Sequence, residues 1–423
     1  MPEKLNLMQH VRFLAGEIGP RPAGTPAHAA ATDYVKQTLR RTGLAMEHLP
    51  FTVPGWSCDA TTLTLNGESG ESNNLHAAAN LVSPPCDVTA PLVTAGTVAD
   101  LDALAKSGDL AGKIAVLYDD LTRYPLIPLN CPIYNDPRDQ HINRTLLEAN
   151  PAAVITVNPH LNNVERRIED ADFTIPSATV PADVGARLLH HAVNHANEPV
   201  HLRIVAQDIT QTAPVAAHHI LGLQPGSHPA RIALMAHFDT KLDTPGAWDN
   251  AGGIAALLGL AERLAGRDLG CGLEFIAFAD EENYSQDHVV YINERGPLFG
   301  DVIAAINMDG IAHILGQNTI TCMAGNEAFQ AALAGVTAHY PRVQWVDPWP
   351  QSNHSTFAFN GVPAVALCSS VGWDIVSLRH QPGDTPLWLS NDLLNEVVDL
   401  VVAIVETLAD KSPDAFRVST TPA

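Results

Sequence analysis

Basic residues are scarce in this chain. Lysine and arginine together number 24 against 46 aspartates and glutamates, a formal charge of −22 over 423 residues. No Lys/Arg cluster offsets that balance, so nucleic acid and anionic membrane surfaces are not expected partners. The six cysteines (Cys58, Cys86, Cys131, Cys271, Cys322 and Cys368) never fall in a CxxC spacing. That excludes a zinc knuckle and gives no disulfide framework. Long apolar runs are also missing. The most apolar late stretch, Leu393 to Leu408, is interrupted by Glu396, Asp399 and Glu406, which predicts an amphipathic closing helix and no membrane span. The opening residues Met1 to Met8 lack a cationic start followed by an apolar stretch, so a cytoplasmic location is expected.

The length suggests two domains, and the texture of the chain suggests how they are arranged. Residues 3–45 read as largely helical, with Val35 and Leu39 on one face and Gly43 as a stop, and Leu49 to Leu65 reads as strands. From about residue 80 the pattern changes to Pro84-Pro85 and short apolar segments such as Lys113 to Leu117 and Ala153 to Val157. The first pattern resumes near His219 and Ile220. Residues 80–208 are therefore expected to form a small module inserted into a main domain made of residues 1–79 and 209–412, with residues 413–423 as a loose tail. Within the module, Asp119 to Asn143 carries several prolines and little periodicity, which predicts a long loop.

Three nearly continuous apolar runs, Ile232 to Ala236, Leu273 to Phe278 and Val302 to Ile306, have the pattern of strands buried on both faces of a parallel sheet. His237 directly follows the first, Glu281 and Glu282 follow the second, and Asp309 follows the third. In an open α/β sheet the loops at that edge converge on one crevice. Gly252 to Ala265 has helical periodicity and a Gly266 stop, so Asp249 and Asn250 fall at a helix start. With His380 further on, the set supplies what a pair of hydrolytic metal ions needs, namely one bridging carboxylate and about two further protein ligands each. His237 and Asp309 would serve one ion, Glu282 and His380 the other, and Asp249 both. Glu281, beside a ligand but spare, suits a general base, and Asp239 could fix the tautomer of His237. Singly, each residue could be a cap, a turn or a solvated helix start. Their joint order is the signal. The pairs His190-His191 and His218-His219 have no such context and are read as surface or packing residues.

The motifs carry a specific resemblance. His237-Phe238-Asp239, then Pro245-Gly246-Ala247-Trp248-Asp249-Asn250 with Gly253, resembles the His-Tyr-Asp and Pro-Gly-Ala-x-Asp-Asn-x-x-Gly of co-catalytic zinc exopeptidases of metallopeptidase family 28. Glu281-Glu282, Asn307-Met308-Asp309 and His380 to Thr385 resemble the motifs that follow there. Gly19-Pro20-Arg21-Pro22-Ala23-Gly24-Thr25 resembles the opening segment. The resemblance implies a zinc exopeptidase fold, an α/β architecture with a mixed, mostly parallel sheet flanked by helices. It also implies that the inserted β-rich α/β module is a protease-associated domain. Two zinc ions per chain would be held by His237, Asp249, Glu282, Asp309 and His380, with Glu281 and Asp239 as the catalytic pair.

The chain departs from the family after Glu282, where Asn283 to His288 replaces the usual x-Gly-Leu-x-Gly-Ser, and at Ser352-Asn353-His354, where Ser-Asp-His is common. The expected activity is a two-zinc aminopeptidase acting on short peptides, with a homo-oligomer as a possible assembly. The alternatives are a carboxypeptidase or other amide hydrolase using the same site, and a catalytically silent, receptor-like binding protein.

Overall fold

Strands form where β-branched and other apolar side chains can be buried on both sides, and the three runs singled out above do so completely. In the computed structural model, which describes residues 4–66, 72–131, 135–208, 215–371 and 378–418, they become Arg231–His237, Gly272–Phe278 and Val302–Met308. Almost every residue in them is inaccessible to solvent.

The chain divides into two compact units, one of residues 1–52 and 216–423, the other of residues 53–215. In the first, eight strands form one sheet: β1 (Ala45–Val53), β2 (Val215–Gln224), β3 (Arg231–His237), β4 (Gly272–Phe278), β5 (Val302–Met308), β6 (Asn318–Met323), β7 (Gln344–Trp345) and β8 (Ala364–Ser369), in the order β1-β2-β4-β3-β5-β8-β6-β7. β4, β3, β5 and β8 are mutually parallel, whereas β2 and β6 run antiparallel to their neighbours β4 and β8. From β3 the chain passes to β4 on one side and then crosses back to β5 on the other. The strand order therefore reverses beside β3, the position where open α/β sheets form a crevice at the strand carboxyl ends.

Helices α1 (Pro26–Arg41), α2 (Gly252–Leu264), α3 (Gln286–Arg295), α4 (Glu327–Thr337) and α5 (Asn391–Leu408) belong to this unit. The Thr25 hydroxyl accepts from His28 N at 3.1 Å to cap α1, Pro26 occupies its first position, and Gly43 follows its end with φ +89°. The expected helix over residues 3–45 is thus real at Val35 and Leu39, both buried, but interrupted around Arg21. α2 is buried along nearly its whole length and packs with α5, whose Leu394, Val397, Val401, Ile404 and Leu408 face the same core. Glu396, Asp399 and Glu406 lie off that buried face. Among the described residues no helix is long and apolar enough to cross a membrane.

The second unit contains a four-stranded antiparallel sheet, in which Trp56–Asn66 pairs with Val200–Asp208, and a five-stranded sheet with parallel strands Leu92–Ala95, Ile114–Leu117, Ala153–Val157 and Ser177–Val180. The compact division thus falls at Val53 and Val215, whereas the composition change placed it at residues 80 and 208. The difference arises because Trp56–Asn66 finds its partner strand far along the chain. The loop expected from Asp119 to Asn143 gives way to a helix, Pro137–Ala149. Pro137 sits in its first turn, where the missing N–H has no partner to lose, and Asp136 accepts from Arg138 N at 2.7 Å. Residues 413–418 are also not a loose tail. Phe416 is buried with its ring 5.3 Å from Phe329, and Asn326 N donates to Phe416 O at 2.9 Å. Residues 419–423 lie outside the described part.

At the start of α2, Gly253 lies against the end of β5. A Cβ there would stand 2.2 Å from Met308 O and 2.3 Å from Asn250 Oδ1. Gly253→Ala is expected to cost about 1–3 kcal/mol, as overpacking does, and to lower the thermal unfolding midpoint of the metal-free protein. An unchanged midpoint would show that this approach is looser than the geometry indicates.

Candidate metal centre

Three of the parallel strands, β3, β4 and β5, deliver their carboxyl-terminal residue, or the first residues of the next loop, to the same point. His237 ends β3, Glu281 and Glu282 follow β4, and Asp309 follows β5. Asp249 and Asn250 precede α2 in non-helical conformations, and the peptide bond between them is cis. His380 comes from the loop before α5, in a left-handed conformation with φ +55°. All five candidate ligands expected from the sequence are thereby brought together. His237, Asp249 and Asp309 form one donor cluster and Asp249, Glu282 and His380 a second, each with its ligand atoms within 4.8 Å of one another.

The distances have one repeated value. His237 Nε2 lies 3.3 Å from Asp249 Oδ1 and 3.3 Å from Asp309 Oδ1. His380 Nε2 lies 3.3 Å from Asp249 Oδ2 and 3.3 Å from Glu282 Oε2. One imidazole N–H shared between two carboxylate oxygens at 3.3 Å makes two long, bent hydrogen bonds, weaker than a single direct one. Donor atoms at about 2.0–2.1 Å from a tetrahedral cation are separated by about 3.3–3.4 Å, which matches all four edges. Buried Glu282 Oε1 also has no hydrogen-bond partner among the described residues. The donor set, imidazole nitrogen and carboxylate oxygen, suits zinc.

Behind the donors, hydrogen bonds fix their directions. Asp239 Oδ1 faces His237 Nδ1 at 3.4 Å, while the same carboxylate accepts from Glu281 N at 3.2 Å and Glu282 N at 3.0 Å. One buried side chain thus joins the end of β3 to the loop carrying both glutamates. Ser352 Oγ donates to Asp309 Oδ2 at 2.6 Å and accepts from Asn307 Nδ2 at 2.7 Å. Asp384 accepts from Trp248 N at 2.8 Å and Asp249 N at 3.0 Å. Asn250 donates to Met308 O at 2.9 Å and accepts from Gly253 N at 2.9 Å, tying the start of α2 to β5. Lys241 Nζ donates to Glu282 O and lies 3.8 Å from its Oε2.

Sequence reasoning gave no role to Asp384, Ser352 or Lys241. Asp384 and Ser352 do stand inside the family-like motifs, and that is the one signal that points to them. The departed segment after Glu282 is anchored by Asp280, which accepts from Gln286 N at 3.1 Å, and by buried Asp287, which accepts from Asn353 Nδ2 at 2.6 Å. His288 bonds Thr356, His354 bonds Trp349 O, and His219 packs between Phe51 and Phe278. None of these three belongs to either donor cluster.

Burial dominates the electrostatics. It raises Glu281 well above the ordinary carboxylate range, with Glu282, Asp309 and Asp249 adding to the rise and His237 opposing it. Glu282 is raised for the same first reason, and Asp384 is pushed up to about 7 by burial despite its two backbone donors. Burial would lower His237, but the charges and hydrogen bonds of Asp309, Asp239 and Asp249 outweigh it and raise the imidazole well above its usual value. Without a cation, the cluster therefore holds protons. Groups with raised pKa values that are protonated at pH 7 must lose those protons when a cation binds. Zinc binding at pH 7 is expected to release protons and to tighten as pH rises. Calorimetry in buffers of different ionisation enthalpy should show a buffer-dependent heat, and a buffer-independent heat would contradict these shifts.

Residues 219–405 match the model of peptidase family M28. A probable lipoprotein aminopeptidase, LpqL of Mycobacterium tuberculosis, is 28% identical over 254 residues, 58% of this chain and 45% of its own. Aminopeptidase YwaD of Bacillus subtilis is 25% identical over 276 residues, 64% of this chain and 53% of its own. The chain thus spans about half the length of the curated relatives it matches. Among solved structures, BSAP, a zinc aminopeptidase from Bacillus subtilis, has the same fold with a TM-score of 0.76 at 20% identity, covering 98% of this chain and 96% of that one. Over residues 219–405, this chain is similar to peptidase family M28.

Proposed function

We propose that the protein is a two-zinc aminopeptidase that removes N-terminal residues from peptides. The observation carrying this reading is the sharing of Asp249 between two donor clusters, each completed by a histidine and a second carboxylate. The aminopeptidase names of the relatives support the substrate class. His237 and Asp309 would hold one ion, Glu282 and His380 the other, and Asp249 would bridge them. Bound zinc supplies a lowered pKa for water and polarisation of the scissile carbonyl. Glu281 takes the proton of the attacking water and returns it to the leaving amine. Asp239 keeps His237 in the tautomer whose Nε2 faces the donors and holds Glu281 and Glu282 by their backbone N–H groups.

The second unit, residues 53–215, fits a protease-associated domain. This assignment is supported by its β-rich makeup and by the parallel strand Ile114–Leu117 within the segment Leu110 to Leu117. A cytoplasmic site of action is supported by six free cysteines, as a reducing compartment maintains. Cell fractionation decides this, and recovery in the envelope fraction would overturn it.

Glu281→Gln is expected to lower kcat by about 10²- to 10⁴-fold, the usual range for a general base, with the zinc content unchanged. Loss of zinc together with activity would remove Glu281 from that role. Against a panel of amino-acid amides and N-blocked peptides, the protein should cleave only substrates with a free α-amine. Cleavage of only the blocked peptides would instead favour a carboxypeptidase-like reading.

A further inference from the structure

Between His237 and Asp249 the chain runs as a loop without strand or helix until Ala247. The sheet ladder ends with His237 and the Phe238 N bond to Phe278 O at 2.9 Å, so the loop beyond has to place the shared carboxylate of Asp249 without one. Its main-chain carbonyls need partners; Asn283 Nδ2 donates to Thr240 O at 3.2 Å, and one side chain reaches carbonyls at both ends of the loop. Arg21 lies outside the segment that matches the family model and is completely buried. Its Nε donates to Phe238 O at 2.6 Å, Nη1 to Pro245 O at 2.6 Å, and Nη2 to Gly246 O at 2.9 Å. Nη1 also reaches Gly19 O at 3.2 Å and Leu14 O at 3.3 Å. Its backbone N donates to Thr240 Oγ1 at 2.9 Å.

Both ends of the loop therefore close on one planar guanidinium. Phe238 is flanked by His237 and Asp239, and Gly246 stands three residues before Asp249. The loop has no slack to absorb a change. At Gly246, with φ +61°, a Cβ would lie 2.3 Å from Thr240 Cγ2 and 2.5 Å from Asp249 O. A guanidinium presents donors in a fixed fork, whereas an ammonium is a point charge that cannot hold three divergent carbonyls in one plane.

We infer that Arg21 is a positioning residue for the metal centre, setting the separation between His237 and the bridging Asp249 through the carbonyls of Phe238, Pro245 and Gly246. The inference rests on the two-zinc reading. It makes residues 19–25, the opening segment of the chain, part of the site's construction without contact to metal or substrate.

The test titrates metal-free wild type, Arg21→Lys and Thr240→Val with Zn²⁺, and records the visible spectrum of each protein loaded with Co²⁺. Arg21→Lys keeps the charge and loses the fork. It is expected to weaken binding of at least one equivalent about tenfold or more and to alter the cobalt bands, which report coordination geometry. Thr240→Val removes only the acceptor for Arg21 N and should shift both readouts less, in the same direction. A fall in thermal stability with wild-type zinc affinity and cobalt spectrum in both variants would make Arg21 a structural residue only and overturn the inference. If Arg21→Lys does not fold, unchanged affinity and spectrum in Thr240→Val overturn it alone. Absence of zinc uptake by the wild type would instead refute the two-zinc reading and the inference with it, an outcome distinct from a failure of the variants.

Discussion

Crowding of buried carboxylates is the constraint on which the rest of this structure depends. Asp239, Asp249, Glu281, Glu282 and Asp309 converge at the carboxyl ends of three parallel strands. Carboxylates removed from water and placed side by side must take up protons or acquire positive charge, because desolvation and mutual repulsion both oppose ionisation. The raised pKa values of Glu281 and Glu282 and the raised pKa of His237 express that demand in the metal-free chain. The proposed pair of divalent cations would meet it, since two histidines already place Nε2 at coordination-edge distances from two carboxylates each.

Rigid delivery makes such crowding possible. Strands β3, β4 and β5 are buried on both faces, so their ends cannot relax away from one another, and α2 packs its start against β5 through Asn250 and Gly253. The less regular segments are tied in by side chains. Asp239 holds the glutamates, Asp384 holds Trp248 and Asp249, Ser352 holds Asp309, and Arg21 holds the loop after β3. These bonds join pieces of chain separated by 43 to 217 residues.

The donors themselves were legible because a continuous apolar run marks a strand buried on both faces, and a His, Asp or Glu placed just beyond it falls at the carboxyl edge of the sheet. His237, Glu282 and Asp309 announce themselves in this way, and Asp249 does so by preceding a helix. Partners that act across long sequence separations leave no periodic mark. Arg21 looks like one residue of a proline-rich turn, and nothing near it in sequence names Phe238 or Gly246 as acceptors. The domain boundary was displaced for the same reason. Trp56–Asn66 has the same alternation as a strand of the first unit, and only its pairing with Val200–Asp208 assigns it to the second. Pro137 misled locally, since a proline that ends one helix is also a favoured first residue of the next.

The central claim is that one carboxylate, Asp249, lies between two metal ions. Anomalous diffraction at the zinc absorption edge, on crystals grown with zinc, tests it most directly. The account predicts two peaks about 3.5–4 Å apart, one beside His237 and Asp309, the other beside Glu282 and His380, with Asp249 contacting both. A single peak, or two peaks that do not share Asp249, would contradict it.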